Sequence, residues 1–103
     1  MSAEIYRYSF SLHVPVEDIE ATLLLALWGA ESLHGESQVR LDASHFLDTN
    51  RRAAVIDAGT PAGRDVNRLF VGFILREFGE DGFQVTRLDG VANRQTEEAR
   101  ACP

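Results

Sequence analysis

Residues 5–14, Ile5-Tyr6-Arg7-Tyr8-Ser9-Phe10-Ser11-Leu12-His13-Val14, decide the architecture. Tyr6, Tyr8, Phe10, Leu12 and Val14 fall on one side of an extended chain, with Arg7, Ser9, Ser11 and His13 on the other. Period-two alternation of this kind marks a half-buried strand. Directly after it the period changes. Pro15 suits the first turn of a helix, and Glu17, Asp18 and Glu20 set negative charge at its positive end. Val16, Ile19, Leu23, Ala26, Leu27, Ala30 and Leu33 then follow helical spacing, and His34 with Gly35 reads as a last-turn cation and a left-handed cap.

Downstream, the spacing predicts two more strands, over 38–46 and 52–58, joined by the turn residues Asp48-Thr49-Asn50. Pairing Phe46 with Arg51 sets Ala43 opposite Ala54 and Leu41 opposite Ile56, so both apolar rows share a face. Thr60 and Pro61 open a second helix whose stripe is Ala62, Val66, Leu69, Phe70, Phe73, Ile74 and Phe78, and Gly79 ends it. A last strand is expected over 83–88. The order βαββαβ makes the expected class α+β: a ferredoxin-like two-layer sandwich with a four-stranded antiparallel sheet in the order 4-1-3-2 and two helices on one face. The expected core joins Tyr8, Phe10, Leu12, Leu23, Ala26, Leu41, Ile56, Val66, Phe70 and Phe73. Residues 1–90 form the expected domain, and 91–103 read as a polar, mobile tail without core periodicity.

Composition limits the chemistry. The chain has 103 residues, enough for one domain and one two-layer core but too few for a deep cavity. Its net charge is −6, with 16 acidic and 10 basic residues, which disfavours nucleic acid and anionic membrane surfaces as partners. Every basic residue is Arg, so Schiff-base lysine chemistry and a lysine phosphate loop are excluded. One cysteine, Cys102, allows no intrachain disulfide and no paired thiolate ligands. The first residues carry no signal pattern, and the longest apolar run, Leu23 to Trp28, is too short to span a bilayer, so the expected location is cytoplasmic. No cofactor or metal is called for.

Two surfaces stand out. Ala21, Leu24, Leu25 and Trp28 lie opposite the core stripe of the first helix, and Arg68, Val71 and Leu75 lie on the outer side of the second. A helix apolar on both sides usually has something packed on both sides, and Trp is a favoured interface anchor. These residues are the candidate protein interface, with Arg64 also on the outer side of the second helix. The second surface is the uncovered face of the sheet, where the expected register places Arg40 opposite Asp57, with Arg7 close by and His13 on the same face. Arg7, His13, Arg40 and Asp57 are thus the candidate ligand-binding residues, against a simple reading as solvated cross-strand pairs. The central positions of that face, Ser9, Ser11, Ala53 and Val55, lack the aromatics of an RNA-recognition sheet and are too polar for barrel-closing dimers.

Two smaller constellations carry less. Ala58-Gly59-Thr60-Pro61-Ala62-Gly63-Arg64-Asp65 resembles an anion-binding helix start, but capping explains Gly59, Thr60 and Pro61, and Gly63 suits close approach of helix to sheet. His13 and His45 could meet Asp48 at the hairpin end of the sheet as a metal or acid–base site. The expected function is a non-enzymatic protein-interaction module that self-associates as a dimer through the outer face of the first helix. The alternative is a small-anion or ligand binder, or a modest enzyme, using the open sheet face.

Overall fold

In the computed structural model, which describes residues 4–89, the elements run β1 (Glu4–Phe10), α1 (Val16–His34), α2 (Glu36–Asp42), β2 (His45–Asp48), β3 (Ala53–Asp57), α3 (Pro61–Phe78), a 3₁₀ turn (Glu80–Gly82) and β4 (Phe83–Asp89). The strands form one four-stranded antiparallel sheet in the order β2-β3-β1-β4, which counted from the other edge reads β4-β1-β3-β2. The class is α+β. The tail assigned to 91–103 lies outside the described residues.

Register fixes the faces. Tyr6, Tyr8 and Phe10 stand opposite Arg87, Val85 and Phe83 on one side, and Tyr6 and Tyr8 stand opposite Ile56 and Ala54 on the other, all on the helix-covered face. The core there combines buried Tyr8, Phe10, Ile19, Leu23, Ala26, Ile56, Val66, Phe70 and Ile74. Tyr8 and Phe70 meet edge to face, with ring centroids 5.1 Å apart. The Tyr8 hydroxyl donates to Asn67 Oδ1, and burial pushes its pKa up.

Four expectations need correction. Residues 38–44 are not strand: α2 occupies 36–42, so the described residues hold three α-helices rather than two. Val39 and Ala43, both buried, are four residues apart, a spacing that satisfies one helical face as well as a period-two row. Helix wins because Gly35, at φ +89°, lets α1 stop and α2 start in one step, and because Arg40 bonds Glu36 at 2.6 Å one turn away. Leu41 consequently faces solvent and leaves the core.

The hairpin register moves with it. Leu47, not Ala43, stands opposite Ala54, and His45, not Leu41, stands opposite Ile56. The first strand also ends early, at Phe10, and Leu12 sits exposed in the following turn. Arg52 gathers that turn: its guanidinium donates to the carbonyls of Ser11, Leu12 and Val14, while its own carbonyl accepts the Phe10 N–H at 2.9 Å. Phe73, finally, is only partly buried.

The second long helix forms as the sequence leads one to expect. Thr60 caps α3 by accepting the Gly63 N–H at 3.0 Å, and its hydroxyl donates to Asp42 O at 2.8 Å, tying the end of α2 to the start of α3. A Cβ at Gly63 would lie 2.2 Å from Asp57 O, so only glycine lets α3 approach β3 this closely.

Candidate functional site

Helix α1 buries Ile19, Leu23, Ala26 and Ala30 and turns a second apolar row outward. Trp28 is 55% exposed, Leu25 52% and Leu24 44%, with Ala21 exposed beside them. The row is not covered by α3, which packs along another flank of α1. There Thr22 donates to Glu77 Oε1 at 2.6 Å, His34 bonds Asp65 at 2.7 Å, and Gly29 abuts Leu69.

Those contacts also orient α3. Asp65, Leu69 and Glu77 meet α1, so at about 100° per residue Arg68, Val71 and Leu75 fall on the flank turned away from it. Arg64 on the same flank reaches Glu4 at 3.7 Å, at the start of β1. Arg68 and Leu75 are exposed, whereas Val71 packs partly into the core. The interface residues therefore form two strips separated by the seam between the helices, not one patch. Between the strips, on the outer side of α3, lies Gly72, where an added Cβ would meet nothing.

Beside the α1 row is a groove that the sequence did not reveal. It measures about 590 Å³ and runs between α1 and β2. Leu24 and Leu27 form one wall and Phe46 and Leu47 the other, with Glu17, Glu20 and His45 at the margins. Phe46 is 61% exposed on an edge strand. Its role depends on where β2 begins, and the misplaced strand hid that.

The polar candidates do not converge. Arg7 lies on the open face, opposite Val55 and Thr86. Asp57 is on the same face, opposite Ile5, and its carboxylate accepts the Gly59 N–H at 2.9 Å in the turn that leads to α3. Arg40 is on α2, paired with Glu36, and His13 is in the exposed turn after β1 beside Ser11. The expected pairing of Arg40 with Asp57 is thus wrong, and so is the placement of His13 on the sheet.

His45 points to the helix-covered face of β2, with Nδ1 3.3 Å from Ala43 O, while Asp48 accepts the N–H groups of Asn50 and Arg51 at 3.1 and 3.2 Å to close the hairpin turn. His13, His45 and Asp48 therefore form no site. Among the described residues, no group of three or more His, Cys, Asp or Glu side chains is placed to hold a metal ion. A shallow concavity of about 300 Å³ on the open face keeps Arg7 beside Phe46, Asp48, Arg51 and Leu88, without the second candidate cation or any histidine.

No helix among the described residues is long and apolar enough to cross a membrane. Compared with protein-family models, curated proteins and solved structures, the chain matches none of them.

Proposed function

We propose that the chain is a non-enzymatic protein-interaction module that self-associates as a dimer through the outer face of α1. The architecture we assign to it is ferredoxin-like, with α2 inserted before the second strand. The observation that carries the reading is the row Leu24, Leu25 and Trp28 standing about half exposed on a helix that already buries its opposite side. Contiguous apolar surface of this kind marks interaction sites.

The two-strip arrangement suits a two-fold contact in which α1 of each copy lies over α3 of the other, since an isologous interface repeats every pairing twice. Trp28 would then fill the space left open at Gly72. Acidic Glu17, Glu20 and Glu31 would approach the partner's Arg64 and Arg68, giving register at the rim while the apolar centre supplies affinity. Static light scattering tests this. The wild type should be dimeric and Trp28→Glu a folded monomer with an unchanged circular dichroism spectrum. A wild type that stays monomeric at high concentration refutes self-association.

A further inference from the structure

The sheet has two edges, and they are built differently. β4 carries Gln84, Thr86 and Arg87, and the Arg87 guanidinium lies 6.0 Å from the Tyr6 ring centroid. Charged side chains of this kind blunt an edge against added strands. β2, His45-Phe46-Leu47-Asp48, has neither Arg nor Pro and presents two large apolar residues. Among the described residues β3 is the only strand paired with it.

The ladder says which backbone groups are open. Asp57 N–H donates to Ser44 O at 2.9 Å, so Ser44 turns its backbone toward β3. Antiparallel strands alternate in this respect. Phe46 and Asp48 therefore also bond toward β3, and His45 and Leu47 turn their N–H and C=O groups outward. Their side chains enter the groove beneath α1. A strand laid along this edge would alternate its side chains between that groove and the open face beside Phe46.

The groove specifies the chemistry of such a strand. Its walls are Leu24, Leu27, Phe46 and Leu47, which take aliphatic side chains. At its margin Glu17 and Glu20 are exposed and have no ion pair among the described residues, and no Arg lines it. A second copy of β2 would bring no Arg to these carboxylates, and each copy carries a net charge of −6. We propose that the free edge of β2 accepts, as a fifth strand, an extended segment of a different protein whose groove-facing positions, every second residue, carry both aliphatic side chains for the walls and basic ones for Glu17 and Glu20. This rests on reading the chain as an interaction module; the backbone edge of β2 lies outside the Trp28 contact, while Glu17, Glu20 and Leu24 border both surfaces.

The probe is a short, end-blocked peptide with valine and arginine at its groove-facing positions and threonine at the positions between, titrated into the isotope-labelled chain and followed by amide chemical shifts and hydrogen exchange. Saturable binding is expected, with slowed exchange at the His45 and Leu47 amides. The glutamate–valine counterpart should bind about tenfold or more weakly. N-methylating alternate peptide residues should abolish binding in one phase and spare it in the other, because only one phase faces β2. His45→Pro, which removes an outward N–H without touching the β3 ladder, should weaken binding about tenfold or more, whereas Trp28→Glu, which frees the residues the two surfaces share, should not weaken it. The proposal is overturned by absent or non-saturable binding, by equal binding of the acidic peptide, or by equal effects of the two methylation phases. It is also overturned if His45→Pro dissociates a wild-type dimer, which would make a second copy the occupant of the edge. Loss of the dimer in Trp28→Glu bears on self-association alone.

Discussion

Gly63→Ala tests the packing that brings α3 onto the sheet. By helix propensity alone the change should stabilise, since alanine in a helix is better than glycine by about 1 kcal/mol. The structure reverses that sign. The new Cβ would lie 2.2 Å from Asp57 O, whereas real Cβ atoms stay beyond 3.0 Å, so the first turn of α3 must retreat by nearly an ångström. The oxygen cannot yield instead, because it belongs to β3 and the next residue, Ala58, is held by a 2.6 Å bond from its N–H to Glu4 O. Retreat loosens buried Ala62 and Val66 and strains both hydrogen bonds of Thr60. Overpacking costs about 1–3 kcal/mol and a weakened cap about 1 kcal/mol, leaving a net loss of about 1–3 kcal/mol after the propensity gain. For a domain of this size the melting temperature should fall by about 4–24 °C. Urea unfolding followed by circular dichroism, in the Trp28→Glu background to remove association, reads the midpoint. Gly72→Ala is the control, since its Cβ meets nothing, and it should gain up to about 1 kcal/mol. A Gly63→Ala midpoint equal to or above the parent's would refute the close-approach argument.

Phe70→Ala should cost about 3–5 kcal/mol, because Phe70 is fully buried against Tyr8 and Phe10. Phe73→Ala should cost clearly less in the same urea titration, since Phe73 is only partly buried. Tyr8→Phe removes the bond to Asn67 and should lose about 1 kcal/mol. Burial raises the Tyr8 pKa above its ordinary 10.0, so its contribution is whole below that pH and declines above it, as the unfolded chain ionises and the native one does not. Urea midpoints taken from about pH 9 to about pH 11 should therefore fall less steeply in Tyr8→Phe. Arg52 holds φ at +54°, where glycine is favoured, so Arg52→Gly should be more stable than Arg52→Ala by about 1 kcal/mol, although both lose the guanidinium clamp on residues 11–14 and fall below the wild type.

What the sequence made legible follows from how far each signal reaches. The run from Val16 to His34 repeats its period through five turns and needs no partner to be recognised, so α1 and its outward Trp28 row were readable together. Thr60, Pro61 and Gly63 each have one dominant local reason to be where they are. Residues 38–44 offered no such redundancy. Val39 and Ala43 fit either period, and the deciding features were a positive φ at Gly35 and side-chain pairs one turn apart, both slight beside an alternation that looked like a strand. One wrong element then displaced everything whose position depends on register: Arg40 left the sheet, Leu41 left the core, and Phe46 and the groove went unseen. Leu12 failed differently, because the turn that exposes it is made by Arg52, forty residues away in sequence.

An open apolar edge is a template on which a chain can aggregate, which raises the question of what limits that pairing here. The length of β2 supplies an answer. Only His45 and Leu47 turn their backbone outward, so an added strand gains at most about four hydrogen bonds at a net 0.5–1.5 kcal/mol each. Association itself costs about 4–15 kcal/mol, so edge pairing alone barely balances it. Affinity must then come from side chains in the groove, and indiscriminate strands gain little there. Truncating a groove wall should therefore matter as much as removing an edge donor. In the Trp28→Glu background, Leu24→Ser should weaken the arginine–valine peptide by about tenfold, comparable to His45→Pro, without lowering stability greatly because Leu24 is 44% exposed. Tight binding that survives Leu24→Ser would mean that the edge carries the affinity unaided, and β2 would then need some other guard against pairing with itself.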